Sequence, residues 1–418
     1  MAIPKIPGLR WWMISLLMLG SIINFLARST LAVAAPTLKE TLHISEQQYS
    51  WILTAFQMTL LLQPFAGYVL DTIGLKIGFA IFAVAWSFIT MAHGLAHTWQ
   101  GFAGLRGALG LAEGCANPAG MKATAEWFPA KERGFAGGLF NIGASVGSML
   151  APPLVGFAII YYNWQTAFVF VVAIGLVWVA LWLRFYNSPS QHPALSDDER
   201  ALIAAGQEKH LSGDGARPSV KNILTQRNFW GIALPRFLAD PTWSTLTFWL
   251  PLYLTTVRHF DLKHIAMFAW LPFLAADAGC LFGPAVTLAF QKRGLTLVNA
   301  RRSTFTLGAV MIIGVAFAGF VPSPYTAIAL ICLGGFAHQT LSVTVITMSS
   351  DLFKRSEVAT VAGFAGTCGN LGVTLFNLLI GALVLTIGYT PFFVGLSALD
   401  LVGAVVLWTV VRERTPPA

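Results

Sequence analysis

A few ionisable residues in long apolar stretches of this sequence have the types and spacing to handle an anion and a proton. Arg28 lies deep in the first such stretch, and its planar guanidinium can grip a carboxylate through two parallel hydrogen bonds, which lysine cannot copy. A carboxylate ligand would neutralise it; a fixed ion pair is the structural alternative. Arg106 and Glu113 stand seven residues apart in the fourth stretch, about two helical turns, and so share a face. Burial and a nearby guanidinium act on such a carboxyl in opposite senses, leaving it able to load and lose a proton near neutral pH. A static brace is the competing reading. His338 could titrate or serve as a neutral hydrogen-bonding group. Arg236 and Asp240, four apart, are expected to neutralise one another, with Asp240 beside Pro241 able to reach a cavity. Asp277 and Asp400 have no evident partner in the sequence and are read as structural or interfacial.

The elements that position these groups follow from composition. The 418 residues are 56% hydrophobic and 11% charged, with a mean hydropathy of +0.68. Soluble domains average about a quarter charged residues, so a water-soluble enzyme is excluded. A charge costs at least about 2.5–3.5 kcal/mol at the centre of a bilayer and is by default functional.

Runs of roughly 20 apolar residues, long enough to cross the hydrocarbon core, occur at 11–35, 50–70, 76–95, 100–122, 134–160, 165–186, 229–256, 264–290, 303–321, 325–349, 358–386 and 389–411. The expected fold is therefore an all-α polytopic membrane protein of twelve spans. The links are short except 187–228, which divides the chain into 1–186, a cytoplasmic linker 187–228 and 229–418. That linker, with Asp197-Asp198-Glu199-Arg200 and Ser212-Gly213-Asp214-Gly215, reads as a solvated connector.

The net charge of +8, from 26 Lys and Arg against 18 Asp and Glu, is a topology signal. With both termini inside, Lys39, Arg258 and Lys263 fall outside and Arg28, Arg106 and Arg236 within runs, leaving 20 of 26 basic residues in cytoplasmic positions. No nucleic-acid partner is needed. The first run exceeds a signal-peptide core in length and Arg28 interrupts it, so it reads as a retained helix. Cys115, Cys280, Cys332 and Cys368 lack metal-ligand spacing and read as small packing residues, with no disulfide.

Shifting the sequence by 225 residues superposes the later part of the two halves without a gap. Glu113 falls on His338, Glu126 on Asp351, Glu132 on Glu357, Gly147 on Gly372 and Ser145 on Asn370. Duplicated six-helix halves with a midplane site form the major facilitator architecture. Gly67-Tyr68-Val69-Leu70-Asp71-Thr72-Ile73-Gly74-Leu75-Lys76 resembles that superfamily's loop between helices 2 and 3, with Thr72 where Arg is usual. Asp71 is expected to gate the cytoplasmic side, accepting from a helix N-terminus or pairing with Arg133. Gly138, Gly143 and Gly147, with Gly363, Gly366, Gly369 and Gly372 in the second half, allow close helix approach.

Longer motifs narrow the resemblance. Asn24-Phe25-Leu26-Ala27-Arg28-Ser29, Pro118-Ala119-Gly120, Glu126-Trp127-Phe128-Pro129-Ala130-Lys131-Glu132-Arg133, Ala151-Pro152-Pro153, Trp230–Leu238 and Gly334–Gln339 resemble the anion:cation symporter family and, within it, the hexuronate transporters. The resemblance covers nearly the whole chain. It implies proton-coupled uptake of glucuronate or galacturonate across a bacterial inner membrane by alternating access, with both termini cytoplasmic. Arg28 matches the family's anion-binding residue, and Glu113 with Arg106 its proton-coupling pair. Candidate contacts for sugar hydroxyls are Ser145, Asn141 one turn before it, Gln339, Asn370 and the ring of Trp243. His338 joins the proton-coupling set.

Departures bear on specificity. Ala27 stands where many relatives carry an acid, Phe25 where Tyr is usual, and Phe56 to Pro64 where a Tyr often faces the cavity. With Glu113 the only evident proton carboxylate, one proton per monovalent anion makes transport electroneutral. No phosphate-cradling loop, zinc motif or nucleophile elbow is present, so neither catalysis nor ATP-driven pumping is expected, and no cofactor beyond the coupling proton. The expected partners are a small organic anion, the proton and the lipid bilayer, with the chain acting as a monomer. Rival readings are a symporter of an aldonate or aldarate, an anion channel, or a transporter-derived sensor. The short ends, Met1–Arg10 and Arg412–Ala418, argue against the sensor.

Overall fold

The computed structural model describes residues 5–206, 218–260, 268 and 270–413; Ser212–Gly215 and Lys263 lie outside the described residues. Every regular element among them is helical. In chain order these are α1 (Leu9–Thr41), α2 (Glu46–Leu60), α3 (Gln63–Ile73), α4 (Leu75–His93), α5 (Trp99–Glu113), α6 (Ala116–Trp127), α7 (Arg133–Tyr161), α8 (Trp164–Phe185), α9 (Asp197–Ala205) and α10 (Val220–Thr225). There follow α11 (Arg227–Ser244), a π-turn segment (Thr245–Trp249), α12 (Leu250–Thr256), α13 (Leu271–Lys292), α14 (Leu297–Met311), α15 (Ile313–Ala316), α16 (Pro324–Leu352), α17 (Val358–Ile387) and α18 (Thr390–Val410).

Among the described residues eight helices are long and apolar enough to cross a bilayer, and α2 with α3, bent by 41°, makes a ninth candidate. The remaining three expected runs are interrupted. Run 100–122 breaks at Gly114 between α5 and α6, where a glycine costs about 1 kcal/mol of helix stability relative to alanine. Run 229–256 contains Pro235 and Pro241 and passes into the π turn. Run 303–321 breaks after Ile312, whose carbonyl accepts from Ser397 Oγ at 2.9 Å.

Outward-facing apolar side chains such as Ile160, Phe320, Leu378 and Leu385 are largely exposed, which suits hydrocarbon and not water. Trp12, Tyr161 and Tyr162 are exposed near helix ends, where amphipathic rings settle at a membrane interface. The four cysteines are free.

The chain divides into two compact units. Unit 1 comprises Met1–Pro129, Leu139–Ser219 and Phe353–Gly363, and unit 2 comprises Ala130–Gly138, Val220–Leu352 and Phe364–Ala418. Unit 1 packs α2 against α5 and α4 against α5 and α8, with α1 along α8. Its core holds a ladder of rings, Phe79, Trp86, Trp178, Trp182 and Tyr186, with Trp182 stacked on Tyr186 at 3.9 Å. Unit 2 packs α13 and α14 against α16, and α11 against α16 and α18. Tyr253, Ile312, Ile331, Phe393 and Leu396 form part of its buried core.

Two repeat-related glycines show why the halves share small residues. An ideal Cβ on Gly147 would lie 2.3 Å from the Ile22 carbonyl, and one on Gly372 would lie 2.0 Å from the Phe237 carbonyl. Pro241 has no N–H, so the Phe237 carbonyl loses its i+4 donor and abuts α17 at Gly372. Only glycine permits that approach.

The first part of the linker is a packed element and not the solvated connector expected. Leu195 and Ile203 are buried. His192 Nε2 donates to the Phe185 carbonyl at 3.0 Å while Nδ1 accepts from Ala194 N at 3.2 Å, an arrangement only the neutral ring can make. Burial, helped by Lys76 and Arg200 nearby and opposed by the Phe185 bond, pulls the His192 pKa below its usual value. Gly8 offers no side chain to cap α1. Glu199 does so from the linker, accepting from Leu9 N at 3.0 Å and Arg10 N at 3.2 Å and pairing with Arg10 at 2.7 Å. No local pattern signals this, because the cap and its helix are 190 residues apart. Glu199→Gln is expected to lower stability by about 0.5–2 kcal/mol, the usual worth of a helix cap, read as a lower thermal midpoint in detergent; an unchanged midpoint would remove the capping role.

Candidate functional site

Arg28 projects from the middle of α1, and Glu113 is the last residue of α5 before the break at Gly114. α5 reaches α2 closely because Gly110 has no side chain; a Cβ there would lie 2.4 Å from the Phe56 carbonyl. The resulting geometry brings Arg28 Nε to 3.0 Å from Glu113 Oε2. Arg28 therefore already has an internal partner, which its isolation in sequence had assigned to a ligand. The contact is asymmetric: the Arg28 side chain is 27% exposed and that of Glu113 0%. Glu113 Oε1 is buried without a hydrogen-bond partner.

Arg106 takes a different place from the one its spacing implied. Its Nη2 donates to the Arg28 backbone carbonyl at 2.9 Å, while Glu113 bonds Arg28. Arg106 thus fixes the α1 backbone where Arg28 departs and adds positive potential close to Glu113. The two aromatic departures line the same spot. The Arg28 guanidinium lies 4.5 Å from the Phe25 ring centre and 5.0 Å from that of Phe56, and Arg106 lies 5.5 Å from Phe56. Rings replace hydroxyl donors here, holding the cation by cation–π attraction. Ser145 is buried with its hydroxyl unbonded, and Asn141 is half-buried one turn earlier on α7.

In unit 2, Arg236 Nη2 pairs with Asp240 Oδ2 at 3.1 Å, as the spacing implied. His338 is buried and stacks on Trp243 at 6.0 Å, with Nδ1 unpartnered. Gln339 follows it on α16, and Asn370 is half-buried on α17. Asp400 is fully buried and accepts from Thr242 Oγ1 at 3.1 Å, which supports its structural reading.

Of the two residues expected at the gate, Asp71 meets a helix N-terminus, as anticipated, together with a lysine that was not, and Arg133 turns to a different acid. Gly74, with φ of +86°, turns α3 into α4, a conformation that side-chain-bearing residues avoid. Asp71, just before it, accepts from Lys122 Nζ at 2.7 Å and from Thr360 N and Oγ1, each at 2.7 Å. Lys122 also donates to the Arg355 carbonyl at 3.2 Å. Asp71 thus holds the first turn of α17, where free N–H groups favour an anion. Thr72, where Arg is usual, only bonds back to the Tyr68 and Val69 carbonyls. Arg133 serves unit 2, reaching Asp351 Oδ1 at 3.2 Å and the Ser350 carbonyl at 2.8 Å, while Arg301 Nε takes Asp351 Oδ2 at 3.1 Å. Asp351, the repeat mate of Glu126, was visible as an acid beside a basic loop; its two arginines come from distant segments. Breaking one partner of such a buried pair typically costs about 3–5 kcal/mol. Among the described residues no group of three or more His, Cys, Asp or Glu could hold a metal ion.

Long apolar helices that hold a few buried ion pairs define a polytopic α-helical membrane protein. The pattern of the Major Facilitator Superfamily matches residues 17–300 and 295–418, and the chain belongs to that superfamily. It is 50% identical, over 98% of its length and 96% of the relative's, to the hexuronate transporter of Escherichia coli strain K12. It is likewise 50% identical, over 78% of its length and 95% of the relative's, to the galacturonate transporter of Dickeya chrysanthemi. The probable galactarate/D-glucarate transporter GarP of Escherichia coli K12 is 27% identical over 93% of this chain and 92% of its own. The solved structure of the human organic anion transporter MFSD10 (TETRAN) shares the fold, with a TM-score of 0.74 at 15% identity over 96% of this chain and all of its own.

Proposed function

We propose that this protein carries a hexuronate, glucuronate or galacturonate, into the cell together with a proton, by alternating access in the inner membrane with both termini cytoplasmic. The observation that carries the coupling is the 3.0 Å contact between Arg28 and Glu113. One guanidinium edge cannot serve both the internal carboxylate and a substrate carboxylate. Protonating Glu113 removes the internal competitor and frees Arg28 for the anion. Releasing the substrate lets Arg28 return to Glu113, which expels the proton. Partial exposure of Arg28 beside a fully buried Glu113 suits that order, since the cation is the reachable member. The 50% identity to transporters named for hexuronate and galacturonate supports the substrate class. Asp71 and Arg133, which hold the starts of α17 and α7, are assigned to the cytoplasmic gate.

Symport of an aldonate or aldarate is the second reading, favoured by Phe25 and Phe56, which present rings where hydroxyls were expected. A competition panel in proteoliposomes separates the two. Labelled galacturonate is expected to be displaced by glucuronate and galacturonate well ahead of galactonate or galactarate, and to accumulate only with a pH gradient. Stronger displacement by the open-chain acids would transfer the substrate, and flux indifferent to the gradient and to trans substrate would indicate a channel.

A further inference from the structure

The N-terminal segment and the first part of the linker close on one another outside the apolar runs, in contacts that play no part in the exchange at Arg28. Ile6 N donates to the Ala194 carbonyl at 3.0 Å, and Lys5 Nζ to the Leu195 carbonyl at 2.9 Å. Glu199 then takes the Leu9 and Arg10 N–H groups at the start of α1. Residues 5–10 are thus clasped to residues 194–199, all within unit 1. The helix that carries Arg28 draws its cap from this clasp.

His192 sits behind the clasp with both ring nitrogens in use. Nε2 donates to the Phe185 carbonyl, and Nδ1 accepts from Ala194 N at 3.2 Å. Ala194 therefore faces two ways: its N–H holds the ring and its carbonyl holds Ile6. A second proton can enter the ring only at Nδ1, where it would meet the Ala194 N–H, donor against donor.

The surroundings of the buried ring offer an imidazolium no counter-ion. Among the described residues, the charged groups that act on it are both cations, Lys76 on α4 and Arg200 on α9. Lys76 is held by Asn187 Oδ1 at 2.8 Å. The Arg200 guanidinium is held by the Pro189 and Ser190 carbonyls at 2.6 and 3.0 Å and by that of His192 itself at 3.3 Å. From α6 comes only the Trp127 ring, edge-on at 5.7 Å. The closed clasp therefore resists the proton that an open clasp would accept. Its hold is complete above the ordinary histidine pKa of about 6.5. As pH falls below that value the open form gains, by up to about tenfold per pH unit.

We propose that this clasp is a proton-operated latch: a second proton on His192 drives Ala194 off the ring, parts residues 5–10 from the linker and uncaps α1. Under the topology proposed above the latch lies on the cytoplasmic side, where each symported proton arrives, so uptake acts back on the footing of the Arg28 helix. The latch itself is independent of that topology and of the anion carried.

Hydrogen exchange on purified full-length protein in detergent, where both faces meet the buffer, reads the latch directly. Exchange of the Ile6, Leu9 and Arg10 amides, divided by the chemical rate at each pH, is expected to rise about five- to tenfold between pH 6 and pH 5 in wild type. His192→Gln keeps a donor and an acceptor but cannot take a proton, and its rise should stay under about twofold. Every other group still titrates in that variant, so the difference belongs to the ring. Lys76→Gln keeps a partner for Asn187 and removes one cation facing His192. The closed ring then resists the proton less, and the rise should fall between the other two. A flat wild-type profile, or equal rises in wild type and His192→Gln, would overturn the latch. Should His192→Gln not fold, a rise in Lys76→Gln no smaller than that of wild type overturns it as well.

Discussion

Arg28→Lys is expected to weaken hexuronate binding by one to two orders of magnitude while leaving the protein in the membrane at normal levels. Lysine keeps the charge, so Glu113 is not abandoned in the interior, where an unpaired ion would cost about 3–5 kcal/mol. It loses the second prong of the fork and the planar surface that lies 4.5 Å from the Phe25 ring centre and 5.0 Å from that of Phe56. One charge-assisted hydrogen bond is worth about 1.5–3 kcal/mol, and each 1.4 kcal/mol is tenfold in affinity. Equilibrium binding of labelled galacturonate to the purified variant checks this. Wild-type affinity would show that the substrate carboxylate docks elsewhere.

Glu113→Gln separates binding from energy coupling. The amide keeps the shape of the side chain but cannot ionise, so Arg28 stays available at every pH. Exchange of labelled for unlabelled substrate is expected to continue, while accumulation driven by a pH gradient disappears. Wild-type protein carrying one proton per monovalent anion should concentrate substrate about tenfold per pH unit, the equivalent of 1.36 kcal/mol; the variant should only equilibrate it. Binding in wild type should strengthen as pH falls, because protonation of Glu113 releases Arg28, whereas the variant should show a flat profile. A variant that still concentrates substrate would move the proton to another group. A substrate-induced inward current at constant pH gradient in wild type would overturn the one-proton stoichiometry, because the membrane potential acts on net charge at about 2.3 kcal/mol per 100 mV.

Much of the fold was legible because the bilayer imposes a length and a composition on whatever crosses it. Twelve apolar runs and a gap-free repeat required only counting. The chemistry-bearing residues were legible for the same reason: in a chain with 11% charged residues, those inside the runs stand out. Their partners were not. Arg28 was assigned to a ligand and Arg106 to Glu113, because residues seven apart on one helix are visibly close and residues 85 apart are not. The structure exchanges those relations, giving Glu113 to Arg28 and the Arg28 carbonyl to Arg106. Asp71 shows the same limit. Its loop motif allowed a helix N-terminus or Arg133 as its partner; the N-terminus is met through Thr360, 289 residues away, while Lys122, 51 residues away, takes the place of Arg133.

Periodicity also failed where helices break. Pro235, Pro241 and the π turn interrupt a run that reads as one long span, and the Phe237 carbonyl freed by Pro241 becomes the surface on which Gly372 rests. The linker was misread in the opposite direction. Its charges suggested solvent, yet Glu199 caps α1 and His192 is bonded at both nitrogens, contacts between segments whose separation conceals them.

A membrane protein of twelve apolar runs and duplicated halves, with a handful of interior charges, was readable from residue order alone, because hydropathy and repetition are local or periodic properties of a chain. Which charge faces which was not. Pairing depends on where helices distant in sequence come to pack, and that is set by glycine contacts, proline breaks and caps. A single 3.0 Å contact joins Arg28 to Glu113, and the proposed competition between a proton and an anion rests on that pair.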